Sequence, residues 1–276
     1  MYKPGISVCI SAYHSKKFIK STLDSVASQT WFKNHTNYEI IVGVDGDIED
    51  LEYIRSIMKD YKNFRLIMMD SNEGTYVTTN TVMSNAKYEW LLRFDSDDIM
   101  HPFMISELMN ATSGYDVVTF FHESKTNSKE RSQGQILLRH DIFNKFGGYR
   151  PWTCGADTEF EKRVFKFVKV NTVNKVLFYR RIFGENLTVR RDTGMYSDVR
   201  RVNRNFILNE NFRYEAEAVI KKVCNTCCEL SYEAPLSIIK LRENGRLKKD
   251  AWTSNCKVED KQPHQNRLRT AVYVKK

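Results

Sequence analysis

Along the first part of the chain, compact apolar runs alternate with stretches whose apolar residues recur at helical spacing. Ile6-Ser7-Val8-Cys9-Ile10 is the first such run. After it, Ile19, Leu23, Val26 and Ala27 share one helical face, with Ser15 placed to cap that helix. Glu39-Ile40-Ile41-Val42-Gly43-Val44 predicts a second buried strand ending at the acidic turn Asp45-Gly46-Asp47. Leu51, Ile54 and Met58 mark a short amphipathic helix beyond it. Phe64-Arg65-Leu66-Ile67-Met68 predicts a third strand, Asn72-Glu73-Gly74 a turn, and Thr75 to Ala86 a helix. Trp90-Leu91-Leu92-Arg93-Phe94 predicts a fourth strand that runs into Asp95-Ser96-Asp97-Asp98. This alternation predicts an α/β fold with parallel strands. Ligands in such sheets bind beyond the carboxyl ends of the strands, so the two acidic turns are expected to converge on one crevice.

The order then changes. A helix is expected from His101-Pro102, strands at Val117-Val118-Thr119-Phe120-Phe121 and Gln135-Ile136-Leu137-Leu138, and a tight turn at Gly147-Gly148-Tyr149. A helix over Thr158 to Val168 and a strand at Val176-Leu177-Phe178-Tyr179 follow. Beyond Asn205 the pattern is helical, and from Asn255 it loses periodicity. The organisation read from this is a domain over 1–204, divided into 1–98 and 99–204, with a C-terminal extension over 205–276.

Composition narrows the class. The chain has 276 residues, 41% of them hydrophobic, which is enough for a core and excludes wholesale disorder. No stretch approaches the roughly 18 consecutive apolar residues of a membrane span, and no signal-peptide apolar region follows Met1, so a cytoplasmic protein is expected. The six cysteines are then read as thiols or metal ligands rather than disulfides. Net charge is +9, but residues 1–161 carry −5 and residues 162–276 carry +14. Residues 162–204 contribute +9 and residues 236–276 +7. Such a basic half suits a polyanionic partner or an anionic membrane surface; its alternative is a solvated basic face.

The chemistry concentrates at the acidic turns. Clustered carboxylates repel, and each raises its neighbour's pKa unless a cation intervenes. Hard oxygen donors suit Mg²⁺ or Mn²⁺, and a metal with open positions would take a diphosphate. The alternative is a solvated turn in which Asp97 or Asp98 caps a helix.

Four segments in order and spacing resemble family 2 glycosyltransferases of the inverting GT-A type. They are Ile6 to Tyr13; Thr22-Leu23-Asp24-Ser25-Val26 with Gln29-Thr30; Glu39 to Val42 with Asp45-Gly46; and Asn72-Glu73-Gly74 through Asn80 to Asp95-Ser96-Asp97-Asp98. The resemblance implies a nucleotide-sugar-binding mixed sheet flanked by helices, with a basic, mainly helical extension. It implies that Ser11, Ala12 and Tyr13 line the nucleoside site, that Asp45 meets the base and that Asp95 holds the ribose. Asp97 would bind the metal bridging the diphosphate. Asn80 matches the helix after the glycine turn, where the family's preceding Arg is Thr79.

A second match joins Gly147-Gly148-Tyr149, Trp152 and Gly155-Ala156-Asp157-Thr158-Glu159-Phe160, and resembles the acceptor side of the family. It implies Asp157 as general base, with Glu159 as the fallback, because a sugar hydroxyl needs a carboxylate to take its proton as it attacks. Trp152 would stack on an acceptor ring; the alternative is a core tryptophan. Tyr179 to Thr188 resembles the segment that closes over the donor. Ile182 and Phe183 stand where many members carry a metal-binding His, so diphosphate charge falls to Arg180, Arg181, Arg190 or Arg191.

The implied donor is a nucleotide-diphospho-sugar, UDP being the family's commonest nucleotide. The basic half, with Trp252, His264 and Tyr273 interleaved, favours a phage-type member acting on a hydroxymethylated base in DNA. The alternative acceptor is a cell-surface polysaccharide or lipid-linked glycan, with peripheral membrane contact. A nucleotidyltransferase would open with a Gly-rich loop, and Ser11-Ala12-Tyr13-His14-Ser15 has none. Retention of Asp95, Asp97 and Asp157 argues against a non-catalytic nucleic-acid-binding protein. Cys224, Cys227, Cys228 and Cys256 with His264 are read as buried thiols, with a zinc site as the alternative.

Overall fold

In the computed structural model, residues 2–124, 129–184, 186–209 and 271–274 are described. The chain order is β1 (Lys3–Ala12), α1 (Ile19–Ala27), β2 (Tyr38–Val44), α2 (Ile48–Ile57), β3 (Phe64–Met68), α3 (Thr75–Ser84) and β4 (Tyr88–Asp95). Then come β5 (Ile99–Met100), α4 (Met104–Asn110), β6 (Val117–Glu123), β7 (Lys129–Arg131), β8 (Leu137–Arg139) and α5 (His140–Phe146). They are followed by α6 (Ala156–Val164), β9 (Val170–Tyr179), a helix over residues 198–209 and β10 (Ala271–Val274). One sheet runs β10-β3-β2-β1-β4-β8-β6-β9-β5, with β7 on β6. The strands β3, β2, β1 and β4 are parallel, β8 runs antiparallel between β4 and β6, and β10 closes the β3 edge antiparallel. The expected mixed α/β architecture is therefore present.

Period-2 alternation divides each central strand between two layers. Ile6, Val8, Ile10 and Ala12 of β1, with Trp90, Leu92 and Phe94 of β4, pack under α1, α2 and α4 through Leu23, Ile54 and Ile105. Cys9 and Leu91 face the other way, onto Val82 of α3, Phe143 of α5 and Phe160 of α6. Ser11, Arg93 and Asp95 share that second face by register, and Ser11 pairs directly with Asp95. The strand pattern thus delivers polar side chains to the α3–α6 side at the carboxyl end of the sheet.

Several local expectations differ. Ser15 does not cap α1; its backbone N–H and hydroxyl both go to the buried Asp50 carboxylate of α2, at 2.8 and 2.9 Å. The α6 helix starts earlier and stops at Val164, with Gly155 left-handed at its entry. The boundary proposed at 204 cuts the helix over 198–209, whose Asn203 donates to the Cys154 carbonyl at 2.7 Å and whose Phe206 meets Trp152 edge-on. Cys224, Cys227, Cys228, Cys256, Trp252 and His264, and most of the second basic stretch, lie outside the described residues. No helix among the described residues is long and apolar enough to cross a membrane.

Candidate active site

Three loops meet at the carboxyl ends of β1, β2 and β4. The β1 loop is pinned from α2. Asp50 receives Ser15 and Lys16 backbone N–H groups, and Asp47 both caps α2 and pairs with His14 at 2.8 Å. This leaves Tyr13 exposed at the mouth, packed against His14 with ring centroids 4.0 Å apart. Ser11 sits deeper, its hydroxyl 3.1 Å from that of Thr75 and accepting from Thr79 at 3.2 Å. Thr79, where the family has Arg, therefore completes a trio of hydroxyls at the α3 N-terminus. The Ala12 side chain is core, and only its carbonyl, which accepts from Asp45 N, faces the loops.

Asp45 does not reach an open base pocket. It is buried, and its two oxygens accept from the backbone N–H groups of Glu73 and Gly74 at 2.8 and 3.0 Å. Burial outweighs these bonds and raises its pKa. Asp45 thus shapes the turn that launches α3. Gly46 makes this packing possible: at φ 74° its absent Cβ would lie 2.3 Å from the Ser71 carbonyl carbon.

At the end of β4, Asp95 is partly exposed and held by Arg93 Nη2 and Gln135 Nε2, each at 3.2 Å. Asp98 is buried, accepting from Gln135 Nε2 at 2.6 Å and from Arg181 N at 2.9 Å. Asp97 accepts from Asn186 Nδ2 at 2.8 Å. Burial first, then the Asp95 charge, pushes the Asp97 carboxyl up against the pull of Arg181 and Arg180. Burial, Asp97 and Asp95 push Asp98 up as well. The local charge is therefore under-compensated, which fits a hard divalent cation. Among the described residues no three acidic, His or Cys side chains surround a common point. Such a cation would take Asp97 from the protein and its remaining ligands from diphosphate and water, the usual mode for Mg²⁺.

The basic segment after β9 is used differently from expectation. Arg181 turns onto α1: it donates to the Asp97 carbonyl through Nε, to Ser21 and Thr22 hydroxyls at 2.9 Å each, and lies over the Phe18 ring. It locks the segment down and is not a free diphosphate ligand. Arg180 reaches Thr188 at 3.2 Å and remains partly exposed beside the acidic cluster. Arg190 is an exposed partner of Asp192. Asn186, overlooked in the sequence, occupies the place beside Asp97 that Ile182 and Phe183 could not fill.

On the acceptor side, Asp157 opens α6, partly exposed, with its Oδ1 accepting its neighbour Thr158 N at 2.8 Å. Glu159 is not available as a base. It is 1% exposed and grips Arg163 at 2.7 and 3.0 Å, with Arg150 at 3.0 Å. Arg163 spends its other donors on the Phe146 and Gly148 carbonyls, which fixes the glycine turn. Trp152 is 7% exposed and packed on Phe206, so it belongs to the core and offers no stacking face. Asn80 clamps the same turn from α3, donating to the Tyr149 carbonyl at 2.7 Å and accepting its N–H at 2.9 Å. Its amide is thereby taken up in joining the two halves of the site.

Gln135 and Arg93 were also overlooked. The available signal for Arg93 was a lone charge inside an apolar strand, two residues before Asp95 and therefore on the same face.

A mixed sheet with carboxylates at the ends of its parallel strands has the architecture of the GT-A class. Residues 7–162 match the family described as Glycosyl transferase family 2, and the chain belongs to that family. It is 26% identical to Glycosyltransferase GlyG of Streptococcus pneumoniae over 216 residues, covering 74% of this chain and 69% of that protein. It is 29% identical over 107 residues to the poly(ribitol-phosphate) beta-N-acetylglucosaminyltransferase TarP of Staphylococcus aureus, covering 38% of this chain and 32% of TarP. Some relatives align over about a third of their own length, as an uncharacterized Haemophilus influenzae glycosyltransferase does at 35%. Among solved structures, S. aureus TarS with UDP superposes with a TM-score of 0.57 at 15% identity, over 77% of this chain and 72% of that one. The Pyrobaculum calidifontis mannosyltransferase PcManGT, solved with GDP-Man and Mn²⁺, gives 0.58 at 12% identity, over 87% of this chain and 80% of that one.

Proposed function

We propose that this protein transfers a sugar from a nucleotide-diphospho-sugar to a hydroxyl of a glycan or other surface polymer, with inversion at the anomeric carbon. The observation that carries it is that Asp95, held by Arg93 at the carboxyl end of the sheet, and Asp157 at the start of α6 both lie within electrostatic reach of that guanidinium, while Asp97 follows two residues after Asp95. Tyr13 offers a ring to the base and Ser11 and Asp95 offer oxygens to the ribose, which leaves Arg180 to meet the diphosphate. A divalent cation on Asp97, when bound, neutralises charge on the departing diphosphate. Asp157 takes the acceptor hydroxyl proton while the acceptor oxygen forms its bond to the anomeric carbon. The bond from that carbon to the diphosphate oxygen breaks, and its electron pair leaves with the nucleotide.

The acceptor reading moves from a modified DNA base to a glycan polymer. The +9 charge of residues 162–204 suits any polyanion, and the name of TarP specifies a phosphate-bearing polyol polymer. UDP is the first donor nucleotide to try, with GDP as the second, because TarS and PcManGT were solved with UDP and GDP-Man.

The test is a panel of UDP- and GDP-sugars with Mn²⁺ against a poly(ribitol phosphate), neutral oligosaccharides and hydroxymethylated DNA, read by mass spectrometry. Transfer to a glycan polymer is expected. Asp157→Asn should lower transfer by about 10²-fold or more, and nucleotide-sugar binding by calorimetry should persist. Labelled DNA would restore the nucleic-acid acceptor. Full transfer by Asp157→Asn would remove the assignment of the base.

A further inference from the structure

In the loop over residues 187–197 the usual direction of burial is reversed. Thr193, Gly194 and Ser197 are buried, whereas Val189 and Met195 are half exposed and Tyr196 is fully exposed. The polar residues can go inside because their hydrogen bonds are met there. Thr193 Oγ1 donates to the Leu187 carbonyl at 2.9 Å, and the Thr193 carbonyl accepts from Arg200 Nε at 2.9 Å. Two backbone bonds fold the loop back on itself: Gly194 N to the Arg190 carbonyl at 2.7 Å, and Met195 N to the Thr188 carbonyl at 3.2 Å. Gly194 permits this approach, since a Cβ there would lie 2.3 Å from the Arg190 carbonyl oxygen. The second bond sets Met195 and Tyr196 beside the Thr188–Val189 peptide, so the three apolar residues share one end of the loop.

A single exposed apolar residue is ordinary. Three held outward on one hydrogen-bonded loop, with polar residues buried beneath them, call for a partner. Their neighbours indicate its chemistry. Residues 187–204 hold five arginines and two aspartates. Arg190, Arg191, Arg201 and Arg204 are exposed, and the aspartates pair with Arg190 at 2.9 Å and Arg201 at 2.8 Å, which leaves positive charge in excess. A phosphate-bearing polymer would engage the arginines but offers no apolar surface to Val189 and Met195. A bilayer with anionic headgroups accepts both. Tyrosine rings and arginine stems settle at the interface, apolar tips reach the acyl boundary and guanidiniums stay with the headgroups. The loop also begins at the site already described. The Val189 and Arg190 N–H groups donate to the carbonyl of Asn186, whose amide holds Asp97.

We propose that the 187–197 loop docks this protein on an anionic membrane surface, with Val189, Met195 and Tyr196 entering the interface and Arg190 and Arg191 meeting the headgroups. Docking is read without sugar transfer, so its failure leaves the transferase reading untouched. The experiment is cosedimentation of the full chain with vesicles of phosphatidylglycerol and phosphatidylcholine in equal parts, with phosphatidylcholine vesicles as control. Binding to the anionic vesicles alone is expected. Met195→Ser/Tyr196→Ser should lower the partition coefficient by about tenfold or more at unchanged melting temperature. Arg190→Gln/Arg191→Gln should lower it by about fivefold per arginine. Tyr196→Trp should keep binding, and the fluorescence it adds should shift to the blue with anionic vesicles; this variant decides if the serine pair does not fold. No sedimentation with anionic vesicles, wild-type binding by the serine pair, or an unshifted tryptophan would overturn the inference. Wild-type vesicle binding by the serine pair together with lost binding of poly(ribitol phosphate) would assign the loop to the polymer instead.

Discussion

Replacing Glu159 distinguishes a structural carboxylate from a catalytic one. In Glu159→Gln the side-chain volume is kept and the charge is lost. Two guanidiniums, Arg163 at 2.7 Å and Arg150 at 3.0 Å, then face a neutral amide in a region where Glu159 and Arg163 are each 1% exposed. Breaking one side of a buried ion pair costs about 3–5 kcal/mol, because the remaining charge has lost its compensation. A domain of this size loses about 2–4 °C of melting temperature per kcal/mol, so a fall of roughly 6–20 °C is expected. The Phe146 and Gly148 carbonyls keep their Arg163 bonds, so the glycine turn should survive at low temperature. The assay is differential scanning calorimetry together with kcat per folded molecule, measured well below both melting points. Stability should fall while kcat stays within about threefold of wild type, since no proton passes through Glu159. The double variant Glu159→Leu/Arg163→Met should recover part of the loss and not all, because Arg150 still loses its 3.0 Å contact with that carboxylate. A Glu159→Gln protein that melts within about 2 °C of wild type but no longer transfers sugar would refute the ion-pair reading and restore Glu159 to the chemistry.

Three further outcomes follow from contacts elsewhere in the site. Asn186→Ala removes the amide on Asp97 and loosens its carboxylate, so the Mn²⁺ concentration for half-maximal transfer should change by about tenfold with little change in melting temperature; an unchanged Mn²⁺ titration would count against the role of Asn186. Gly46→Ala places a methyl 2.3 Å from the Ser71 carbonyl carbon at positive φ, and should destabilise by about 1–3 kcal/mol in urea melts; a neutral effect would mean that the turn can shift. Burial works against the Asp24 carboxylate, but hydrogen bonds from Lys20 and Tyr61 outweigh it and hold its folded pKa below the ordinary value. That stabilisation is complete above the unfolded pKa of about 4 and disappears as pH falls through the folded value. The stability gap between wild type and Tyr61→Phe should therefore shrink when urea melts at pH 7 are repeated at pH 3.

The strand–helix order and the parallel half of the sheet were legible in the chain. Each depends on information carried within a few residues: apolar alternation in β1 and β4, helical spacing in α1, and glycine at Gly46 and Gly74 where turns need it. Strand register follows from which face must be buried, and it also placed Arg93, Ser11 and Asp95 together. The late strand β10 was not legible, because its partner β3 lies some 200 residues earlier.

The roles of individual polar residues were decided only by tertiary structure. Asp45, Glu159 and Arg181 have the residue types that the chemistry would use, and all three are taken up by partners brought from elsewhere in the chain. Asp45 holds the 73–74 turn, Glu159 neutralises Arg163 and Arg150, and Arg181 joins the segment after β9 to α1. A buried charge must be paired or hydrogen-bonded to persist, and the fold chooses its partner by proximity. Sequence therefore determined where carboxylates and guanidiniums gather. Packing determined which of them are consumed in holding that place together, as Asp45, Glu159 and Arg181 are.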